Sequence, residues 1–216
     1  MNVIVIGGHG KIALLLAREL AGRGDAVTAV VRNPDHVPDV EAAGARALVL
    51  DVENSSMEEI QEALAGQDAV VWSAGAGGGD PDRTYAVDRD AAIRTINAAS
   101  AAGVGRFLTV SFARADTKYL VPLDDPFYPY MAAKIAADEH LRRSTLDWTI
   151  LGPGLLTDDP ASGKVRPLDE PGEGAEETSR GNVAAVISEA LAVRETFGKT
   201  LNFADGDVPI RDWLRA

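Results

Sequence analysis

Short apolar runs alternate with stretches of helical periodicity along most of the chain. The apolar runs are almost uninterrupted, as expected for strands that are covered on both faces. They predict six strands, at Val3–Ile6, Ala26–Val31, Ala47–Leu50, Ala69–Trp72, Phe107–Ser111 and Trp148–Leu151. The stretches between them predict four helices, at Lys11–Ala21, Met57–Ala65, Tyr85–Ala102 and Met131–Arg143. Because strands and helices alternate, we expect an α/β protein with a doubly wound parallel sheet, the Rossmann fold.

The C-terminal part of the chain differs in composition. Residues Thr157–Thr178 are rich in proline, glycine and glutamate, which is typical of a long loop or a small appended lobe. A helix at Asn182–Arg194, a strand at Thr200–Phe203 and a short segment at Ile210–Leu214 follow. Since 216 residues are within the usual size of one domain, we expect a single domain over 1–216 with a small lobe on the substrate side.

Composition narrows the classes of function. A net charge of −12 without a basic stripe argues against a nucleic-acid partner. The apolar runs are shorter than the roughly 18 residues of a membrane helix, and the first residues are not typical of a signal peptide, so we expect no membrane and a cytoplasmic location. The chain has no cysteine, which fits that location and excludes thiolate chemistry. Three scattered histidines, His9, His36 and His140, predict no metal site.

A glycine cluster, Gly7-Gly8-His9-Gly10-Lys11-Ile12-Ala13, follows the first predicted strand and opens the first helix. Gly7 suits a turn with positive φ, and Gly10 lets a pyrophosphate approach the backbone. The helix N-terminus supplies free N–H groups and the positive end of a dipole. A glycine-rich hairpin is the alternative, but it does not explain the helix that follows. The cluster therefore predicts a dinucleotide site.

The second predicted strand ends in Arg32, at the position where an acid binds the ribose 2′-OH in NAD-binding folds. A guanidinium suits a 2′-phosphate instead, and Lys11 could add a second positive charge. We therefore expect NADP rather than NAD, with a solvated Arg32 as the alternative. Asp51 and Val52 follow the third strand, where the Asp51 carboxylate could accept a hydrogen bond from adenine or cap the next helix.

Small residues, Ser73-Ala74-Gly75, follow the fourth predicted strand and would let a cofactor lie against the backbone. The stretch continues to Gly78 and Gly79, which we interpret as a flexible surface loop.

Taken together, these motifs resemble the atypical short-chain dehydrogenase/reductases, in the group of NAD(P)H-binding, NmrA-like and flavin-reductase-like proteins. The resemblance covers nearly the whole chain and also rests on Tyr130-Met131-Ala132-Ala133-Lys134, Leu151-Gly152-Pro153-Gly154 and Thr178-Ser179-Arg180-Gly181-Asn182-Val183-Ala184. It implies that the cofactor is bound by Gly7, Gly8, His9, Gly10, Lys11, Ile12, Arg32, Asp51, Val52, Ser73, Ala74 and Gly75. It also implies that Pro153 and Gly154 shape the nicotinamide side of the pocket, where a plain turn is the alternative.

Tyr130 and Lys134 are four residues apart in a predicted helix, so their side chains share one face. A lysine ammonium near a phenol lowers the phenol's pKa, which would let Tyr130 exchange a proton during hydride transfer. The resemblance implies that this pair is catalytic, that Lys134 also holds the nicotinamide ribose, and that Ser111 binds the substrate oxygen. A packed, structural Tyr130 beside a solvated Lys134 is the alternative.

One departure from the pattern is Phe112, which stands where related extended enzymes usually carry a second hydroxyl. Ser111 could instead satisfy backbone groups at the strand end. The substrate side would be apolar and aromatic, which suits a flat or greasy acceptor. It would be built from Phe112, Tyr119, Phe127, Tyr128, Leu155 and Leu156. His140 falls on another face of the helix and is expected at the surface.

These observations favour an NADPH-dependent reductase of a small carbonyl, quinone or flavin-like acceptor. The second hypothesis is a redox-sensing NADP-binding regulator without catalysis, which Phe112 favours. A sugar-nucleotide epimerase or dehydratase fits the tyrosine and lysine, but the chain has little room for the larger substrate lobe of such enzymes.

Overall fold

The computed structural model describes residues 1–77, 80–168 and 176–216. Its strands are β1 (Asn2–Ile6), β2 (Ala26–Val31), β3 (Arg46–Val49), β4 (Ala69–Trp72), β5 (Arg106–Val110), β6 (Asp147–Pro153), β7 (Leu155–Thr157), β8 (Lys164–Pro167), β9 (Glu177–Ser179), β10 (Lys199–Asp205) and β11 (Val208–Pro209). Its α-helices are α1 (Lys11–Gly22), α2 (Val37–Ala42), α3 (Met57–Leu64), α4 (Pro81–Thr84), α5 (Ala92–Ala101), α6 (Tyr128–Arg142), α7 (Arg180–Ala190) and α8 (Ile210–Trp213).

The central sheet has the strand order β11-β8-β10-β6-β5-β4-β1-β2-β3 within the described ranges. From β3 to β10 every pairing is parallel, and β8 and β11 add an antiparallel edge. The order of strands along the chain reverses at β1, between its neighbours β2 and β4. This reversal opens a crevice at the carboxyl ends of the strands, which is where ligands bind in open α/β sheets.

Alternate residues of β1 face opposite layers of the protein. Val3 and Val5 pack in the cluster that contains the apolar faces of α1 and α7. Ile4 and Ile6 pack in a second cluster, with apolar residues of α3, α5 and α6. All four side chains are almost completely buried, so the sheet is covered on both faces. The predicted doubly wound α/β fold is confirmed.

Two predicted helices differ from the structure. The helix predicted at Tyr85–Ala102 begins with a π-helical stretch, Tyr85–Ala91, before α5. The helix predicted at Asn182–Arg194 ends at Ala190, where the side chains of Arg106 and Thr196 donate hydrogen bonds to the Ala190 carbonyl. The last carbonyls of a helix have no N–H partner within the helix, and these side chains supply one.

The proline-rich segment contributes strands as well as loop. Residues Lys164–Pro167 form β8, which joins the edge of the main sheet beside β10, and Leu155–Thr157 pairs with Glu177–Ser179 in a separate two-stranded sheet. Only Val165 of β8 is buried, so its sequence carries little hydrophobic signal. The loop predicted at Gly78 and Gly79 and residues 169–175 lie outside the described residues. Among the described helices, none is long and apolar enough to cross a membrane.

Candidate functional site

The glycine turn between β1 and α1 is packed directly against two neighbouring strands. Gly7 has φ +85°, and a Cβ on it would lie 2.7 Å from the backbone of Ala74. The Gly8 N–H donates to the Val30 carbonyl at 2.8 Å, and a Cβ on Gly8 would lie 2.6 Å from the Ala29 Cβ. Both contacts are too short for any side chain, so the turn requires glycine at these positions.

The first turn of α1 is open to an anion. Gly10 is the N-cap residue and has no side chain to accept from the N–H groups of the following residues. The first turn also contains no acidic side chain. These N–H groups, together with the positive end of the helix dipole, are suited to a phosphate.

A cleft of about 360 Å³, here called the glycine cleft, lies over this turn at the carboxyl ends of β1 to β4. Ten of the predicted cofactor residues line it: Gly7, Gly8, His9, Gly10, Arg32, Asp51, Val52, Ser73, Ala74 and Gly75. The space that side chains would fill at Gly7 and Gly8 is taken by backbone, which leaves the cleft free. The residues present therefore fit a dinucleotide.

Five predicted cofactor residues are not in the lining of the glycine cleft: Lys134, Pro153 and Gly154, which belong to the other side of the sheet edge described below, and Lys11 and Ile12. The Lys11 ammonium pairs with the exposed carboxylate of Asp158, which Arg180 also binds at 2.8 Å. This group lies in a separate groove beside α1. Ile12 is buried in the core under the sheet. The side chains after the glycine turn thus point away from the cleft, because the helix rotates by about 100° per residue.

Arg32 is joined in the glycine cleft by two charged residues that sequence reasoning missed. Glu53 Oε2 lies 3.2 Å from an Arg32 nitrogen and 3.4 Å from Arg83 Nε. Arg83 comes from α4 and also donates to the Ala76 carbonyl. These groups are brought together from three separate connections, so no sequence spacing links them. Glu53 competes with any anion that binds Arg32.

His9 and His36 also meet at the glycine cleft, although they are distant in sequence. Their rings stack with centroids 3.6 Å apart, and His9 Nε2 lies 2.8 Å from the Asp39 carboxylate. Among the described residues, no group of three potential ligands could hold a metal ion. The pair instead forms a flat wall of the cleft next to Arg32.

Asp51 shapes the wall of the cleft and does not cap α3. Its carboxylate accepts from the Glu53 N–H at 3.2 Å and from the Asn54 side chain at 2.8 Å. The cap of α3 is Ser56, which forms a capping box with Glu59. The sequence indicated that Asp51 either binds adenine or caps the next helix, and the prediction of a helix cap is therefore wrong.

A second cleft, here called the tyrosine cleft, has a volume of about 580 Å³ and opens at the ends of β5 and β6. Ser111, Tyr130, Pro153 and Gly154, all predicted site residues, line it. The apolar part of the lining is Phe112, Ala113, Phe127, Leu155 and Leu156, and the charged part is Arg114, Glu176 and Arg180. Tyr119 and Tyr128 are not in its lining, which leaves Phe112 and Phe127 as the aromatic side chains around Tyr130.

Beneath the tyrosine cleft lies a buried set of charged groups. Lys134 is 3% exposed, and its ammonium donates to the Val110 carbonyl at 2.7 Å. Asp138, one turn further along α6, is 1% exposed and accepts from the Ser111 hydroxyl at 2.5 Å. Burial raises the pKa of Asp138 to about 6, although the charge of Lys134 and the Ser111 hydrogen bond lower it. Ser111 is thus held by a carboxylate, a partner that sequence reasoning missed.

Asp88 connects this buried set to the glycine cleft. It projects from the π-helical stretch, is 2% exposed and accepts from the Ala76 N–H at 2.9 Å. A Cβ on Gly75, which lines the glycine cleft, would lie 3.2 Å from the Asp88 carboxylate. Burial raises the pKa of Asp88, and the charge of Lys134 offsets part of this rise. The insertion of an extra residue per turn in a π-helix is often associated with such functional positions.

The pKa of Tyr130 is raised, contrary to the sequence-based expectation that Lys134 lowers it. Burial is the main cause, and the negative charges of Asp88 and Asp138 add to it. The two carboxylates could not be foreseen as neighbours, since one comes from α6 and the other from the π-helical stretch. The phenol is therefore protonated over the whole neutral pH range. His140, further along α6, binds Asn97 at 2.7 Å, away from this set.

The model of the NAD(P)H-binding family matches residues 7–193, which include both clefts. The chain belongs to the NAD(P)H-binding family. The resemblance to the atypical short-chain dehydrogenase/reductases is confirmed, and the family match supports a nicotinamide cofactor.

Several relatives of this NAD(P)H-binding protein span its full length. It is 35% identical to the uncharacterized sugar epimerase YhfK of Bacillus subtilis, over 100% of this chain and 99% of the relative. The structure of a provisionally assigned NAD-dependent epimerase/dehydratase from Bacillus halodurans is 35% identical, with a TM-score of 0.90 and coverage of 99% and 98% of the two chains. The oxidoreductase ylbE of Lactococcus lactis is 28% identical, with a TM-score of 0.87 and coverage of 99% and 95%.

The glycine turn generates the first prediction. Gly8→Ala should lower the free energy of unfolding by about 1–3 kcal/mol and weaken NADPH binding, because the added methyl meets the buried Ala29. Gly22→Ala is the matched control, since a Cβ there meets nothing within 4 Å at the end of α1. Urea denaturation and fluorescence titration with NADPH measure both effects. Equal behaviour of the two variants would contradict the packing argument.

The buried carboxylate generates a pH prediction. The folded protein keeps a proton on Asp138 up to about pH 6, whereas the unfolded chain releases it near the ordinary pKa of 3.8. The wild type should therefore lose about 3 kcal/mol of stability relative to Asp138→Asn as the pH rises from about 4 to 7. Urea denaturation at several pH values measures this difference. Asp212→Asn, at an exposed position, is the control. If the free energy of unfolding changed with pH in the same way in wild type and Asp138→Asn, the prediction would be contradicted.

Proposed function

We propose that this protein is an NADPH-dependent reductase of a small aromatic carbonyl, quinone or flavin-like acceptor. The observation that carries the proposal is the position and state of Tyr130. Its phenol lines the cleft beside Pro153 and Gly154, next to the aromatic rings of Phe112 and Phe127, and it carries a proton at neutral pH. Reduction of a carbonyl requires a proton donor at the oxygen, and a protonated phenol is suited to that role.

The glycine cleft supports the cofactor part of the proposal. The N–H groups of the first turn of α1 would hold the pyrophosphate, and Arg32 would hold the 2′-phosphate. Pro153 and Gly154, at the end of β6, would border the nicotinamide. The cofactor supplies a hydride when it is bound. Arg32 favours NADPH, and Glu53 reduces that preference because it already pairs with the guanidinium.

Each residue of the tyrosine cleft has a distinct role in this scheme. Tyr130 would donate its proton to the acceptor oxygen and regain one from solvent. The ammonium of Lys134 offsets part of the charge of Asp88 and Asp138 beneath the cleft. Asp138 fixes the Ser111 hydroxyl, so its oxygen rather than its proton faces the acceptor side.

The shape of the lining supports an aromatic acceptor. The ring of Tyr130 lies 5.7 Å from that of Phe112 and 5.0 Å from that of Phe127, measured between centroids. Phe127 is 53% exposed, so the aromatic surface reaches solvent at the mouth of the cleft. A flat ring can enter against these faces, which suits an aromatic acceptor.

One observation favours the second candidate, an NADP-binding regulator without catalysis. The Ser111 hydroxyl is committed to Asp138, and Phe112 occupies the neighbouring position with an apolar ring. The cleft therefore offers Tyr130 as the one hydroxyl donor among its described lining residues. A screen of NADPH oxidation with quinones, flavins and aldehydes separates the two, because steady turnover with any acceptor excludes a purely regulatory protein.

The names of two relatives include epimerase activity, which makes a sugar epimerase or dehydratase the third candidate. Such enzymes begin by oxidising a sugar hydroxyl, for which the tyrosine must act as a base. The raised pKa of Tyr130 opposes that role. The aromatic faces beside Tyr130 also favour a flat acceptor over a sugar, so the reductase explains the site better.

Tyr130→Phe tests the reductase. Loss of the phenolic proton should lower kcat by at least about 100-fold and leave NADPH binding nearly intact, because Tyr130 lies outside the glycine cleft. Steady-state kinetics with the best acceptor from the screen and NADPH titration measure the two effects. Tyr128→Phe, on the same helix but not in the cleft lining, is the matched control. Unchanged turnover in Tyr130→Phe would remove the phenol from the mechanism.

Arg32→Met tests the choice of cofactor. Wild type should bind NADPH more tightly than NADH, and the substitution should weaken NADPH binding by about tenfold with a smaller effect on NADH. The exposed Arg211→Met removes a similar charge far from the cleft and should change neither affinity. Fluorescence titration with both nucleotides measures the affinities. Tighter binding of NADH by the wild type would overturn the role given to Arg32.

A further inference from the structure

Arg114 stands out among the residues of the tyrosine cleft because of its backbone. It follows β5 and has φ +59°, the one positive φ at a residue other than glycine in the described ranges. Such a conformation is strained for a residue with a side chain and is often found at functional positions. The Arg114 N–H donates to the Asn202 side chain at 3.0 Å, which holds the backbone in place.

This backbone turns the Arg114 guanidinium into the tyrosine cleft. Both of its terminal nitrogens bind the Glu176 carboxylate, one of them at 3.1 Å, so the pair is bidentate. The side chains are 17% and 19% exposed, and both residues line the cleft together with Phe112, Tyr130 and Leu156. A carboxylate is thus already bound inside the space that we assign to the acceptor.

We propose that Arg114 binds a carboxylate group of the acceptor, and that Glu176 occupies this position until the acceptor enters. The inference rests on the reductase proposed above and adds the substrate class, an aromatic acceptor that carries a carboxylate. The planar guanidinium binds carboxylates in a bidentate manner, so the acceptor's carboxylate would replace that of Glu176 without leaving the cation unpaired.

The surroundings of Glu176 allow this exchange. Its main chain is held independently of its side chain, since the Glu176 carbonyl accepts from the Leu155 N–H at 2.8 Å beside β7. The same carbonyl packs so closely on Gly154 that a Cβ there would lie 1.8 Å from it. The backbone can therefore remain in place while the carboxylate rotates toward the open side of the cleft.

Arg180 adds a second positive charge to the same cleft. It pairs with Asp158 at 2.8 Å, and Asp158 also binds Lys11. The charged lining of the tyrosine cleft is therefore two arginines and one glutamate, in a protein of net charge −12. An anionic group on the acceptor complements the two guanidinium groups.

A matched pair of acceptors tests the proposal. The probes are 4-carboxybenzaldehyde and its methyl ester, methyl 4-formylbenzoate, which differ by one negative charge. We expect wild type to prefer the acid, measured as the ratio of kcat/KM for acid and ester. Arg114→Met should lower this ratio by about tenfold, because it removes the charge and keeps a residue with the same backbone restriction.

The Glu176→Gln variant distinguishes two possible roles of Glu176: a carboxylate that competes with the acceptor, and a partner in a structural ion pair with Arg114. If Glu176 competes with the acceptor, this variant should raise the acid-to-ester ratio several-fold, the opposite direction to Arg114→Met. A structural pair predicts that both variants lose stability and that the ratio is the same in both. The exposed Arg143→Met removes a positive charge outside the cleft and should keep the wild-type ratio.

A binding measurement, which needs no turnover, tests the carboxylate site separately from the proposed reductase activity. Calorimetric titration of the protein with NADPH and naphthalene-2-carboxylate should show binding that weakens about tenfold in Arg114→Met and strengthens in Glu176→Gln. The methyl ester of the probe is the neutral comparison. Binding of the acid that depends on Arg114 supports the anion site even where no acceptor turns over. Equal behaviour of acid and ester in wild type, in both turnover and binding, would overturn it.

Discussion

The close approach of the glycine turn to its neighbouring strands is the constraint on which the rest of the site depends. Gly8 lies against Ala29 of β2, and Gly7 lies against the connection after β4, with no space for a side chain at either contact. This packing sets where α1 begins and leaves its first N–H groups uncovered. The cleft at the carboxyl ends of the strands exists because backbone, and not side chain, forms its floor.

The second determinant is a set of charges buried beneath the tyrosine cleft. Lys134, Asp88 and Asp138 are each at most 3% exposed, so their burial is compensated by one another and by hydrogen bonds to Val110, Ala76 and Ser111. Burial raises the pKa of Tyr130, and the charges of Asp88 and Asp138 add to this rise. The phenol therefore carries its proton at neutral pH, as the proposed proton transfer to the acceptor requires.

Both clefts contain an arginine that is paired with a glutamate. In the glycine cleft Arg32 is joined to Glu53, and in the tyrosine cleft Arg114 is joined to Glu176. An intramolecular carboxylate compensates the charge of the guanidinium, so an anion that binds there must displace the carboxylate. In the proposals above, the first pair acts on the choice of cofactor and the second on the choice of acceptor.

The sequence by itself determined the order of strands and helices, the glycine turn and the Tyr130–Lys134 pair, because hydrophobic periodicity and helical spacing are local properties. It did not reveal β8, whose strand carries one buried side chain and is stabilised by pairing with β10. Only the tertiary structure placed Asp88 and Asp138 near Tyr130 and reversed the expected shift of its pKa. Asp138 follows Lys134 by one turn of the same helix, but the burial and the approach of Asp88 come from residues that are distant in sequence, and no local pattern records which of them become neighbours.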